Sequence, residues 1–150
     1  MFDKNGTLLW ERNKLGSKEG EFNLPHGISK DNENNIYVAD RSNGRIQIFN
    51  KKGEFTTEWN PPELSKPFGV EVKNDLVYVA DGGDFLYGNT QSPTSQIIIF
   101  NKKGEIIDRF GSWGSNEGQL EVPHDITVDD DGNIYVADLN NKRLQVFMKR

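Results

Sequence analysis

Residues 2–52 align without a gap onto residues 100–150, and 22 of those 51 positions are identical. A chain that repeats itself folds as a repeated supersecondary unit, which constrains its architecture more tightly than any single motif. Gly16-Ser17 matches Gly114-Ser115, Pro25-His26 matches Pro123-His124, and Asn35 to Asp40 matches Asn133 to Asp138. Both histidines of the chain therefore occupy one position of the repeat. A degenerate third copy lies between them, with Pro67-Phe68-Gly69-Val70 in place of Pro25-His26-Gly27-Ile28 and Val77 to Asp81 in place of Ile36 to Asp40. The shift of 98 residues is thus two repeats, of 42 and 56 residues.

Each repeat reads as four short β-rich strands separated by turn residues. In the first full copy the strands are Gly27–Ser29, Asn35–Ala39, Arg45–Phe49 and Glu54–Trp59. The connections Asp31–Asn34, Ser42–Gly44 and Lys51–Gly53 hold the Asn, Asp and Gly that tight hairpins need. No stretch has helical periodicity. Four antiparallel strands repeated at this spacing predict an all-β fold, a β-propeller in which the strand after each Pro-His or Pro-Phe pair lines the central channel. The chain holds about three blades, half of a six-bladed ring. Residues 1–24 read as the last strand and loop of a preceding blade, with Thr7–Glu11 as that strand. Residues 25–66 form one blade, 67–122 a blade with a long loop, and 123–150 an incomplete blade. Propellers close with four to eight blades. The expectation is therefore either a longer gene product or a homodimer in which the amino-terminal strand of each copy completes the other's last blade.

Composition narrows the function. Net charge is −5 with both signs interspersed, which argues against nucleic acid and against a polybasic membrane anchor. No segment approaches the length of a membrane span, and the amino terminus has no basic stretch leading into an apolar run. With no cysteine there is neither a disulfide nor a thiolate ligand or nucleophile, so the two histidines are the near-neutral titrating side chains.

The strings Pro25 to Ile28, Asn35 to Asp40, Asn43 to Phe49 and Trp113-Gly114-Ser115 through Gly118-Gln119-Leu120 resemble NHL repeats. Within that class the order of Leu24-Pro25-His26, Asp40 to Gln47, Gly104 to Asp108 and Val122 to Ile126 is similar to the carboxy-terminal half of the peptidyl-α-hydroxyglycine α-amidating lyases (peptidylamidoglycolate lyases). That resemblance implies a six-bladed propeller that cleaves peptidyl-α-hydroxyglycine to a peptide amide and glyoxylate. It implies His26 and His124 as two of three zinc ligands, Asp125 as a ligand of a structural calcium, and Arg41 as an active-site residue. The remaining metal histidine and the catalytic tyrosine of that family match nothing in the 150 residues, so the chain alone is expected to be inactive. A secreted, secretory-pathway or periplasmic setting is implied by resemblance alone.

The repeat gives the zinc reading a reason of its own. Histidines on alternate blades of a six-bladed ring would face the channel about 120° apart, and three would form the open site of a catalytic zinc. The competing reading is a common blade-entry dipeptide whose imidazole bonds the backbone of a neighbouring loop. Arg41 suits a substrate's terminal carboxylate, while a solvated turn residue beside Asp40 is an equal alternative. Asp125 replaces Gly27 of the first repeat and reads as a calcium ligand or as a turn cap. Asp129-Asp130-Asp131-Gly132 lacks calcium-loop spacing and reads as a hairpin turn. Asp40 with Arg45 and Asp138 with Arg143 recur in two blades, which predicts a structural pair bracing the second and third strands. The long loop 82–96 of the middle blade, around Phe85 and Tyr87, reads as a lid, a partner surface or a tolerated insertion. Peptide substrate and protein partner are the two partner classes, the second belonging to a non-catalytic propeller that serves as an interaction scaffold.

Overall fold

A computed structural model describes residues 1–83 and 94–149. It contains three antiparallel sheets, each running outward in chain order. The first is β1 (Pro25–Lys30), β2 (Ile36–Asp40), β3 (Arg45–Phe49) and β4 (Phe55–Trp59). The second is β5 (Pro67–Lys73), β6 (Leu76–Asp81), β7 (Gln96–Asn101) and β8 (Ile106–Phe110). The third has three strands, β9 (Pro123–Val128), β10 (Ile134–Asp138) and β11 (Arg143–Phe147). These are the expected blades. No described helix is long and apolar enough to cross a membrane.

The middle sheet packs on both faces, and its sequence says so. Along β6, Val77 and Val79 join the core shared with the first sheet, whereas Tyr78 and Ala80 join the core shared with the third. Along β7, Ile98 and Phe100 face the first sheet, and Ile97 and Ile99 face the third. Strands buried on both faces carry continuous apolar runs rather than alternation, which accounts for Leu76 to Ala80 and Ile97 to Phe100.

The hairpin turns follow from side chains that cap their own backbone. Asp31 Oδ1 accepts the amides of Glu33 and Asn35, and its Oδ2 accepts Asn35 Nδ2 and the Tyr37 hydroxyl. Asp129 repeats this with Asn133 and Tyr135, so the aspartate run is a turn, as expected. The middle sheet instead uses a two-residue turn, Asn74-Asp75, with φ of 51° and 62°. That left-handed pair matches the twist of the flanking strands.

Thr7–Glu11 departs from expectation. It is not a strand here: Phe2 and Leu8 form a lone antiparallel bridge. The hairpin nonetheless has the repeat's register, since Phe49 pairs with Phe55 and Phe100 with Ile106 at the same separation. Of loop 82–96, residues 84–93, including Phe85 and Tyr87, lie outside the described residues.

The innermost strands β1, β5 and β9 run side by side. Their approach is close enough to dictate residue type. A Cβ on Gly27 would lie 2.5 Å from the Phe68 carbonyl oxygen, and one on Gly69 would lie 3.0 Å from Asp125 Cα. Asp125 stands at the third such position, with no further inner strand beside it among the described residues.

Candidate functional site at the inner strands

His26, Phe68 and His124 sit at matching positions of β1, β5 and β9, so the stacking of inner strands delivers them to one place. The imidazoles of His26 and His124 meet edge to face with centroids 4.6 Å apart, and each lies 4.9 Å from the Phe68 ring. Residues 98 apart in sequence thus share one cluster. His26 Nδ1 is 3.2 Å from the Phe68 carbonyl oxygen, a contact to strand β5 and not to a loop, which leaves Nε2 as its second ring nitrogen. His124 titrates below the usual histidine range because burial penalises the imidazolium. The charges of His26 and Arg41 add to this, and Asp125 opposes it. A neutral ring with a free lone pair is the form that ligates metals.

Arg41 opens a short 3-10 turn between β2 and β3 that Gly44 closes in the left-handed conformation. The turn folds the arginine inward, so that its side chain is buried and its guanidinium carbon lies 4.4 Å from the Phe68 centroid. A buried arginine is not the solvated turn residue of the alternative reading, and stacking on an aromatic face holds its planar fork in one orientation. Asp125 is exposed within β9, and its Oδ1 accepts the amide of the adjacent Ile126 at 2.9 Å.

A catalytic zinc site needs three protein ligands. The described residues offer two imidazoles in contact, and among them no group of three His, Cys, Asp or Glu is placed to hold a metal ion. Sequence reasoning placed Phe68 in the alternation of blades but missed that its ring packs against both imidazoles and lies under Arg41. Its alignment with the two histidines was the available signal.

Asp40 and Arg45 form the expected pair, with Nε 2.8 Å from Oδ2. The arginine does more than brace strands. It donates to the carbonyls of Ser17, Lys18 and Glu21 and so ties down the loop that enters the sheet. Arg143 does the same for Ser115, Asn116 and Gln119. The repeated Gly-Ser pairs mark these clamped loops.

Comparison with known proteins agrees with this architecture. The NHL repeat family matches residues 22–49 and 120–147. Protein brain tumor of Drosophila melanogaster is 34% identical over 89% of this chain, and peptidyl-glycine alpha-amidating monooxygenase B of Xenopus laevis is 33% identical over 92%. The chain spans 12% and 16% of the lengths of those two relatives. Virginiamycin B lyase from Staphylococcus aureus superposes on 83% of this chain and 41% of its own, with a TM-score of 0.58 at 18% identity, a likeness of fold. The chain therefore carries NHL repeats over residues 22–49 and 120–147, within an all-β fold of propeller-like sheets.

Proposed function

We propose that this chain supplies one half of the active site of a metal-dependent carbon–nitrogen lyase, which cleaves peptidyl-α-hydroxyglycine to a peptide amide and glyoxylate once three further blades complete the ring. The observation that carries the reading is the meeting of His26, His124 and Arg41 around Phe68. These are the residues that resemblance to the amidating lyases marks out, and similarity to the Xenopus monooxygenase supports it.

His26 and His124 would hold a zinc ion together with a third histidine from another blade. Bound there, the ion would lower the pKa of the substrate's hydroxyl. The Phe68 ring packs against both imidazoles and lies 4.4 Å from the guanidinium carbon of Arg41, which would take the terminal carboxylate of the substrate in a two-pronged contact. Asp125 stands beside His124 as the candidate calcium ligand.

The test is glyoxylate release and zinc content in a six-bladed protein that contains these residues. One bound zinc and turnover are expected, with His26→Ala or His124→Ala losing both, and with Arg41→Lys raising KM more than it lowers kcat. Equal zinc in the wild type and the double histidine variant would overturn the reading. That result would favour a non-catalytic propeller that presents loops to a protein partner. The contact of His26 with the Phe68 carbonyl and the similarity to protein brain tumor fit that second reading.

A further inference from the structure

Phe68 is 1% exposed, yet it belongs to neither of the two hydrophobic cores between the sheets. Its surroundings are the side chains of the site. The rings of His26 and His124 each lie 4.9 Å from its centroid, the first edge to face at 76° and the second tilted by 38°. The Arg41 guanidinium carbon lies over its face at 4.4 Å. A phenyl ring buried against three nitrogen-bearing side chains, and outside both cores, acts on the arrangement of those side chains.

The backbone aims the ring. Each inner strand slips its register against the next strand at the cluster residue, within Pro25–Ile28, Pro67–Gly69 and Pro123–Asp125. Such a bulge turns its side chain away from the ordinary alternation of a strand. His26, Phe68 and His124 therefore share one local distortion, and their rings meet.

Gly82 gives the ring its room. The aspartate that ends the second strand of each sheet is followed by Arg41 in the first, Gly82 in the second and Leu139 in the third. Gly82 has no positive φ, so its backbone would accept a side chain. Its surroundings would not. A Cβ there would lie 2.6 Å from Phe68 Cε2, 2.7 Å from Cδ2 and 3.3 Å from the carbonyl oxygen of Pro123, the residue before His124. The ring fills the space that a side chain of residue 82 would take.

We propose that Phe68, seated on Gly82, is the positioning residue of this site: its ring sets the orientation of the Arg41 guanidinium and the spacing between that group and the two imidazoles. A cation is drawn to the ring face by the ring quadrupole, and a planar guanidinium can stack on it. Because one ring touches all three groups, the guanidinium carbon and either imidazole centre are separated by less than the sum of 4.4 Å and 4.9 Å. As a statement about side chains the proposal stands without the lyase reading. As a statement about the spacing of a substrate carboxylate from a metal, it rests on that reading.

Nuclear magnetic resonance of the 150-residue protein at pH 8 tests it. In the wild type the Arg41 side-chain protons should lie upfield of free arginine, shifted by the current of the Phe68 ring. Phe68→Leu should return them to free-arginine values and move the ring signals of both histidines, with circular dichroism showing the fold kept. Phe100→Leu, the same truncation within the core of the first two sheets, should leave the Arg41 signals in place, which separates positioning from a general loss of packing. Gly82→Ala should move the Arg41 and histidine signals by displacing the ring, and should move neither in the Phe68→Leu background. If Gly82→Ala does not fold, Phe68→Leu decides alone. Arg41 signals at free-arginine values in the wild type, or unmoved in Phe68→Leu, would overturn the proposal, and so would histidine signals indifferent to that change. Should a completed ring release no glyoxylate, the lyase reading falls and these signals still decide the role of Phe68.

Discussion

The indole of Trp59 lies over Gly104, so closely that a Cβ on the glycine would fall 2.5 Å from the ring. The glycine also has φ +82°, a left-handed conformation that a side chain strains. One residue thus satisfies the turn of one blade and the packing of the next.

The two demands can be separated. Gly6 occupies the equivalent turn with φ +83°, and nothing lies within 4 Å of its Cβ position. Gly6→Ala should cost only the backbone strain, about 1 kcal/mol. Gly104→Ala should cost roughly 2 kcal/mol more, because the indole has to move. Urea unfolding of the two variants checks this, and equal losses would show that the Trp59 contact contributes nothing.

Arg45 and Arg143 play one role in two environments. Arg45 has a side chain 5% exposed and adds Glu58 at 2.6 Å to its bonds with Asp40 and three loop carbonyls. Its removal leaves a buried carboxylate without its cation, so Arg45→Ala should destabilise by about 3–5 kcal/mol. Arg143, 27% exposed at the edge of the third sheet, should cost about 1–2 kcal/mol on the same change. Denaturant midpoints in the same buffer would decide, and an Arg143→Ala loss as large as that of Arg45→Ala would contradict the ranking.

Strand positions were legible because period, turn residues and repeat all agree: β3 was placed to the residue, and β2 was placed one residue early at each end. The histidine cluster was legible only as a shared repeat position. That the rings touch depends on how closely the inner strands stack, which Gly27 and Gly69 encode without announcing it. Arg41 was legible through resemblance alone. Its inward turn depends on Gly44 in the left-handed conformation, and its placement depends on Phe68, a residue 27 positions away in sequence. The carbonyl clamps of Arg45 and Arg143 were not legible. They join a strand to a loop more than 20 residues upstream, across a distance that no local pattern spans.

Tyr37 gives the protein an alkaline limit. Burial, reinforced by the charge of Asp31 and opposed by Lys102, pushes its phenol up to about 12. The native value lies above the ordinary one of 10.0, so its contribution is fully present below pH 10 and is lost as pH rises towards 12. Spectrophotometric titration should find a late-ionising tyrosine that disappears in Tyr37→Phe, and the alkaline fall in stability should be shallower in that variant. An unchanged titration curve would assign the late phenol elsewhere.

Asp81 is the middle sheet's counterpart of Asp40 and Asp138, yet the residue opposite it on the next strand is Gln96 where they have arginine. It accepts the amides of Ser65 and Lys66 and the Gln96 side chain. Burial nevertheless raises its carboxyl above the ordinary 3.8, because those neutral donors do not offset the lost hydration. A raised native value means that the fold favours the protonated acid. The contribution of Asp81 is greatest below about pH 4 and falls as pH climbs through its native value. Gln96→Arg would install the cation that the other two blades have, and with it a charge-assisted bond to the ionised form. The variant should match the wild type at acid pH, where Asp81 is protonated in both, and should gain stability as pH rises, to about 1–2 kcal/mol at neutrality. Chemical denaturation from pH 3 to 7 measures the difference. A gain of equal size at every pH would show that the new arginine acts through the loop carbonyls and not through Asp81.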